Sequence, residues 1–403
     1  MKKIRVAFFA DILVEDFDGA TRTMFQLIRR IPAQRFEFLF IAGMGPAAIA
    51  GYECFKVPAM NLFINAGYKI ALPQLHKKAL HTRLEDFNPD IVHIATPSLL
   101  GEFALQYATA SRLPVISIYH THFISYIGYY LKHLPFLIAP VKGRLTEVQT
   151  NFYNRCTKVY VPAESIAAEL KSTGIHAEAI TIWKRGIEPG LFSPLKRDSI
   201  FIQRLTGNAL PNVLFASRLV WEKNLETLIR IYEVMQLMQL PCNLVIAGDG
   251  GAAKACRKRM PRAIFTGKLN HQQLSTLYAS SDIFLFTSVS ETIGNVVLEA
   301  MASGLPCVIA DGGGSADFIR QGINGFKCTY NREYAYISKI KMLLNNQSLR
   351  QAIAAAALQY SRSFDWDELA AAYFDDVTKL SLQYAKPAPA FKTIAVPTLE
   401  PSL

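Results

Sequence analysis

Short apolar runs rich in valine, isoleucine and phenylalanine alternate along this chain with longer stretches in which apolar residues recur at helical spacing. The runs at 4–10, 36–42, 90–95, 114–119 and 156–161 predict one series of strands, and those at 212–217, 243–247, 263–266, 282–286 and 306–310 predict a second. Most are apolar almost throughout rather than alternating, so both faces of each strand are expected to be covered, as in a parallel sheet flanked by helices. The implied fold class is α/β, with two Rossmann-like, doubly wound units facing a cleft and ligands held at the carboxyl ends of the strands. Pro189, Gly190, Pro194, Gly207 and Pro211 punctuate a polar stretch between Glu188 and Pro211, which predicts the junction of the two units. Asp365 is placed to cap a final amphipathic helix running to about Tyr384, and the proline-bearing residues from Lys386 onward predict a mobile tail. The expected division is 1–190, 191–365, a helix at 366–385 and a tail at 386–403.

A chain of 403 residues exceeds what one core ordinarily serves, which agrees with two domains. With 51% hydrophobic and 19% charged residues, a folded globular protein is expected and extended disorder is not. The apolar start from Ile4 to Ala10 imitates a signal peptide, but Asp11, Glu15, Asp16 and Asp18 follow at once, so it reads as a buried first strand. No apolar run approaches the roughly 18 to 20 residues that span a bilayer. The six cysteines, Cys54, Cys156, Cys242, Cys256, Cys307 and Cys328, form no CxxC pair, which argues against zinc and a disulfide framework and for a reducing cytoplasm. A net charge of +11 predicts anionic partners, a nucleotide or an anionic membrane surface; nucleic acid is not expected, because no recognition motif for it is present.

Candidate chemistry concentrates in the run from Ser290 to Pro306. Gly294 precedes a helix that ends before Gly304 and Pro306, so the amides of Thr292, Ile293, Gly294 and Asn295 face the expected cleft. Glu291 precedes that helix, and Glu299 lies one turn beyond Asn295 on the same side. Two carboxylates around an amide-rich turn can hold a glycosyl nucleotide, or can serve as a helix cap and a solvated helix residue; spacing alone leaves both readings open.

The run SETIGNVVLEAMASGLP, with seven residues between Glu291 and Glu299, resembles the E-x7-E motif of retaining glycosyltransferases of family 4, which have the GT-B fold. Further landmarks stand in order along nearly the whole chain. Ala216 to Asn224 resembles the segment whose arginine and lysine bind the donor diphosphate, which implies that role for Arg218 and Lys223. Fixed cations in a shielded cleft would favour departure of a nucleoside diphosphate without a divalent metal, so no cofactor or metal is expected. Gly19 matches a glycine-bearing first loop that lets a phosphate approach, although a usual second glycine is missing. The run is not GxGxxG, which argues against a nicotinamide enzyme. Asp16 and Asp18 also spell D-x-D, read as a chance match because they precede most of the sheet. Tyr119-His120-Thr121 resembles the family's segment whose histidine lies near the reacting sugar, and His122 is expected on the acceptor side. Trp183 to Pro194 resembles the interdomain segment; its departure at Trp183-Lys184-Arg185 is shared with sulfoquinovosyl-diacylglycerol synthases and related glycolipid-forming enzymes, and Arg185 is assigned to the acceptor side. Lys268 and Leu269 fall where the family places the nucleotide base. The resemblance also implies a C-terminal helix that crosses back to the first domain.

The expected reaction is therefore retaining transfer of a sugar from a nucleotide sugar, UDP-linked for preference, to a hydroxyl of a diacylglycerol-type lipid. A GDP-mannose-dependent enzyme acting on a glycan or a lipid-linked sugar would share every motif. A UDP-sugar epimerase and a non-catalytic sugar-nucleotide binder remain alternatives of other classes. Residues 124–141, with Tyr126, Tyr129, Tyr130, Leu131, Leu134, Phe136 and Leu137 near Lys132 and Lys142, read equally as core or as a segment touching the inner face of the membrane.

Overall fold

The computed structural model describes residues 2–15, 17–61, 69–120, 124, 127–128, 131 and 134–384. His122, Asp16 and the tail from 386 lie outside the described residues, as do Tyr126, Tyr129, Tyr130 and Lys132.

The first sheet contains β1 (Ile4–Ile12), β2 (Phe36–Met44), β3 (Ala48–Ile49), β4 (Tyr52–Lys56), β7 (Ile91–Ile94), β8 (Val115–Ile118), β9 (Lys158–Val161) and β10 (Ile180–Ile182), in the order β10-β9-β8-β7-β1-β2-β4-β3. All neighbours pair in parallel except the short β3–β4 hairpin, and a separate two-stranded piece joins β5 (Ala59–Asn61) to β6 (Lys69–Ala71). The second sheet is wholly parallel: β11 (Asn212–Ala216), β12 (Asn243–Ala247), β13 (Ile264–Gly267), β14 (Ile283–Phe286), β15 (Cys307–Ala310) and β16 (Gly325–Cys328), in the order β13-β12-β11-β14-β15-β16. Counted within that unit the order is 3-2-1-4-5-6, the doubly wound arrangement whose switch point lies between β11 and β14.

Each of the ten predicted strands forms; β14, Ile-Phe-Leu-Phe, is buried at every position, whereas β13 at the sheet edge is half-buried throughout. The strands that periodicity missed have weaker signatures. β4 mixes Glu53 and Lys56 into a run near the sheet edge, and β16 opens on Gly325 directly after a turn. The polar stretch read as a junction is more ordered than its prolines and glycines imply. It carries the helix Ser199–Thr206, capped by Asp198, and sends Phe192 and Ile202 into the second core.

The chain passes between the two cores twice, at one place. Trp183 belongs to the first core and Ile187 to the second; on the return, Phe364 belongs to the second and Trp366 to the first. The Ile187 amide donates to the Phe364 carbonyl at 2.9 Å, so the two crossings hold each other. Gly186 is required there: a Cβ would stand 2.5 Å from Cγ of Trp366. Asp365 caps the last helix, Trp366–Gln383, by accepting from the amides of Asp367 and Glu368. Ala370, Tyr373, Phe374, Val377 and Leu380 of that helix pack on the first sheet, which is the expected return to the N-terminal domain. Among the described residues no helix is long and apolar enough to cross a membrane.

Candidate functional site

The loops that leave the carboxyl ends of β11 and β14 are fastened to one another before they reach the cleft. Asn224 takes a left-handed conformation (φ 55°) at the end of the turn Trp221–Lys223, and its side chain donates to the Thr287 carbonyl at 3.2 Å. The Thr287 hydroxyl donates to the Lys223 carbonyl at 3.1 Å, and the Ser290 hydroxyl donates to that of Glu222 at 2.9 Å. This stapling places the Lys223 ammonium 2.5 Å from Oε1 of Glu291, with Lys223 only 4% exposed. Burial alone would raise the Glu291 carboxyl, but the Lys223 charge and hydrogen bond, with Ser288 and the charge of Arg218, hold it below the usual carboxylate range. Arg218 itself is exposed.

Glu299 has the opposite environment. It is 5% exposed, accepts a bond from the Tyr278 hydroxyl at 3.3 Å, and has its nearest cation, Arg22 of the first domain, at 3.9 Å. Burial therefore pushes its carboxyl up, against the weaker pull of Arg22, His271 and Tyr278. Arg22 also stands 3.0 Å from Nε2 of His271. A cavity of about 150 Å³ opens between the helices Gly19–Ile28 and Asn295–Ala302, reaching Arg22, Asn295 and Glu299 but not Glu291.

Gly294, at φ 71°, turns the chain into the helix Asn295–Ala302, and a Cβ on it would lie 2.6 Å from that of Ser315. The side chain of Ile293 is in the second core. Gly19 opens its helix opposite Asn295, whose Nδ2 would be 3.9 Å from an added Cβ, so glycine there leaves room without being sterically forced. Asp18 caps that helix by accepting from the Thr21 amide at 2.8 Å, which gives half of the D-x-D match a structural task. Lys268 is exposed and Leu269 half-buried just beyond β13, where the Gly267 carbonyl accepts from the Gly248 amide at 2.8 Å.

Two glycine clusters escaped the sequence reading. A Cβ on Gly248 or Gly250 would meet the Ser217 carbonyl oxygen at 1.9 Å or the Leu219 carbonyl oxygen at 2.6 Å, so these two glycines pack bare backbone under the Arg218 loop. Gly313 and Gly314 do the same for the Glu291 loop; a Cβ on Gly314 would be 1.9 Å from the Thr292 carbonyl oxygen. The available signal was glycine clustering directly after a predicted strand.

On the first domain, His120 follows the carboxyl end of β8 and is buried, with Nδ1 3.0 Å from a guanidinium nitrogen of Arg185. Burial, then the charge of Arg185 and the proximity of His93, push the His120 imidazole well below its ordinary value, so it is neutral at pH 7. The Thr292 hydroxyl donates to the His120 carbonyl at 2.9 Å, joining the loop after β14 to the end of β8 across the interface. The structure thus brings Lys223, Glu291, Thr292, His120 and Arg185 into one connected cluster, with Glu299, Asn295 and Gly19 on the adjoining cavity wall. All six cysteines are free.

Two facing Rossmann domains with paired cations and carboxylates at the carboxyl ends of the strands define a GT-B glycosyltransferase. The description "Glycosyltransferase Family 4" matches residues 17–191, and "Glycosyl transferases group 1" matches residues 197–360. A GDP-mannose-dependent alpha-mannosyltransferase of Corynebacterium glutamicum is 30% identical over 335 residues, covering 81% of this chain and 76% of that relative. The sulfoquinovosyl transferase SQD2 of Arabidopsis thaliana is 31% identical over 309 residues, covering 74% of this chain but 58% of that longer relative. The structure of Anabaena Alr3699/HepE in complex with UDP and glucose superposes with a TM-score of 0.71 at 20% identity, over 93% of this chain and 99% of that one. The chain belongs to glycosyltransferase family 4 and is a glycosyltransferase. The epimerase alternative has no support, since both halves match descriptions of glycosyl transferases.

Proposed function

We propose that this enzyme transfers a sugar from a nucleoside-diphosphate sugar to a hydroxyl acceptor with retention at the anomeric carbon, and that it needs no divalent metal. The observation that carries the reading is the buried Lys223–Glu291 pair beside Arg218, at the switch point of the second sheet. In this scheme the bond from the anomeric carbon to the β-phosphate oxygen breaks as Arg218 and Lys223 take up the growing negative charge. The acceptor oxygen attacks from the same face, and its proton passes to the departing phosphate oxygen. Glu291, kept anionic by Lys223, accepts hydrogen bonds from the sugar hydroxyls rather than attacking carbon. Glu299 accepts from the ribose diol, the amides at 292–295 and Gly19 face sugar and phosphate, and Lys268 and Leu269 border the base.

A lipid acceptor is supported by apolar side chains left in solvent on the first domain. Leu134, Phe136 (72% exposed), Leu145 and Val148 accompany Lys142 and Arg144 on and before the helix Ile138–Tyr153, a composition suited to peripheral contact with an anionic leaflet. A second reading, GDP-mannose as donor, is favoured by the relative named for that donor, which matches 81% of the chain. The test is incubation with UDP-sugars and GDP-mannose in the presence of EDTA and a lipid extract, followed by product mass and anomeric configuration. A product with an inverted linkage, or dependence on added metal, would overturn the mechanism. The nucleotide released tells the two donors apart.

A further inference from the structure

Glu299 and the cation it meets belong to different domains, and one helix holds them both. His271 opens the helix His271–Ser280, and Tyr278 lies two turns along the same face. The Tyr278 hydroxyl donates to Oε2 of Glu299 at 3.3 Å, which orients the carboxylate. Nε2 of His271 stands 3.0 Å from Nη1 of Arg22, on the helix Gly19–Ile28 of the first domain. An arginine can only donate, so this Nε2 accepts and the imidazole proton sits on Nδ1. Held in this way, Nη1 stops 3.9 Å from Oε1 of Glu299. That separation is close enough for charge attraction and too long for a hydrogen bond. Lys223 is the opposite case, since it takes an oxygen of Glu291 at 2.5 Å. Arg22 thus lends Glu299 a countercharge without occupying Oε1, and both residues line the cavity of about 150 Å³ between the domains. The countercharge is needed because burial disfavours the ionised carboxyl; Arg22 exerts the largest opposing pull, ahead of His271 and Tyr278. Cys307 of β15 acts on Tyr278, and Glu15, Arg29 and Glu188 line the same cavity.

We propose that Arg22 is a positioning residue for nucleotide binding: from across the cleft it keeps Glu299 a charged acceptor whose Oε1 is left for the ribose diol. The assignment rests on the ribose role proposed for Glu299 and deepens it. Arg22 makes no contact with the nucleotide in this scheme and acts only through the carboxylate. Because it comes from the first domain, Glu299 has this countercharge only while the two domains are together.

The test measures calorimetric affinities of the full-length protein for UDP and for 2′,3′-dideoxy-UDP, and likewise for GDP and its dideoxy form. The range runs from about pH 5 to about pH 9, where a carboxyl raised by burial titrates. The ratio of the two affinities isolates the diol, since titration of the diphosphate is common to both. In the wild-type protein the diol should be worth about 30-fold at the alkaline end, falling as pH drops and Glu299 takes up a proton. Loss of a cation raises a neighbouring acid, so Arg22→Gln should move the midpoint of that fall upward and keep the alkaline plateau. A shift of about one pH unit is expected, the low end for such a pair because the Arg22 side chain is partly exposed. Arg22→Lys keeps the charge and should bring the midpoint back toward its wild-type position. The double variant Arg22→Gln/His271→Gln repeats the measurement with no imidazole to protonate in place of the lost cation, and Arg22→Met serves where a glutamine variant does not fold. A midpoint that stays put in these uncharged variants overturns the proposal. So does an Arg22→Gln loss that is equal for nucleotide and dideoxynucleotide at every pH, because Arg22 then touches the diphosphate. A wild-type protein with no preference for the diol at any pH defeats the ribose role of Glu299, and this assignment with it.

Discussion

The two walls of the cleft handle buried charge in opposite ways. On the second domain, Lys223 has its carboxylate at 2.5 Å, and Glu291 is held ionised as a result. On the first, Arg185 is buried just as deeply and, among the described residues, meets the neutral His120 and the Trp183 ring rather than a carboxylate. A charge paired within the protein is ready before any ligand arrives, whereas an unpaired one lowers stability. The contrast teaches that depth of burial does not fix how a charge is held: one wall pairs its cation with a carboxylate, the other sets its cation against an imidazole and an indole.

The sharpest way to break the comparison is Lys223→Ala, which strands Glu291 and removes a cation from the proposed diphosphate site. A fall in kcat/KM of about 100-fold to 1,000-fold is expected, with weaker UDP or GDP binding by calorimetry. Wild-type kinetics in a folded variant would reject the donor assignment. Glu299→Ala comes next, with nucleotide-sugar affinity expected to fall by about 30-fold as the ribose contacts are lost.

Replacing each glutamate by glutamine separates their electrostatics by pH. Glu291, whose carboxyl is depressed, contributes stability that is present above its unfolded value near 4.3 and is lost as pH falls through its folded value. Glu299, whose carboxyl is raised, contributes stability that is present below that value and is lost as pH rises through its folded value. Urea unfolding at pH 7 should show Glu291→Gln destabilised and Glu299→Gln stabilised, with both differences shrinking at pH 4. Shifts of the same sign at pH 7 would refute this account. The smallest effect is expected from Thr292→Val, which removes the hydroxyl that joins the two walls. A loss of about 1 kcal/mol, read as an approximately fivefold fall in kcat/KM with unchanged UDP affinity, matches one hydrogen bond.

Much of this was legible in the chain. Apolar runs about one strand long announced both sheets, and Asp365 announced the last helix because a capping aspartate directly before an amphipathic pattern has a local physical cause. Glu291 and Glu299 were singled out by resemblance to a family motif, since their spacing around Gly294 alone left two readings open. Their different electrostatics were not legible, since Lys223 is 68 residues from Glu291 and Arg22 is more than two hundred from Glu299. Gly248, Gly250, Gly313 and Gly314 were passed over because their requirement is steric, imposed by backbone from another loop.

By itself the amino-acid order determined the class of fold and pointed to the side chains proposed to carry the chemistry. Periodicity, capping and motif spacing act over a few neighbouring residues and therefore survive in one dimension. Tertiary structure alone decided which of those side chains share a low-dielectric wall, which charge finds a partner and which does not. Desolvation and Coulomb attraction depend on distances in space, and the sheets set those distances by bringing the ends of β8, β11 and β14 to one cleft.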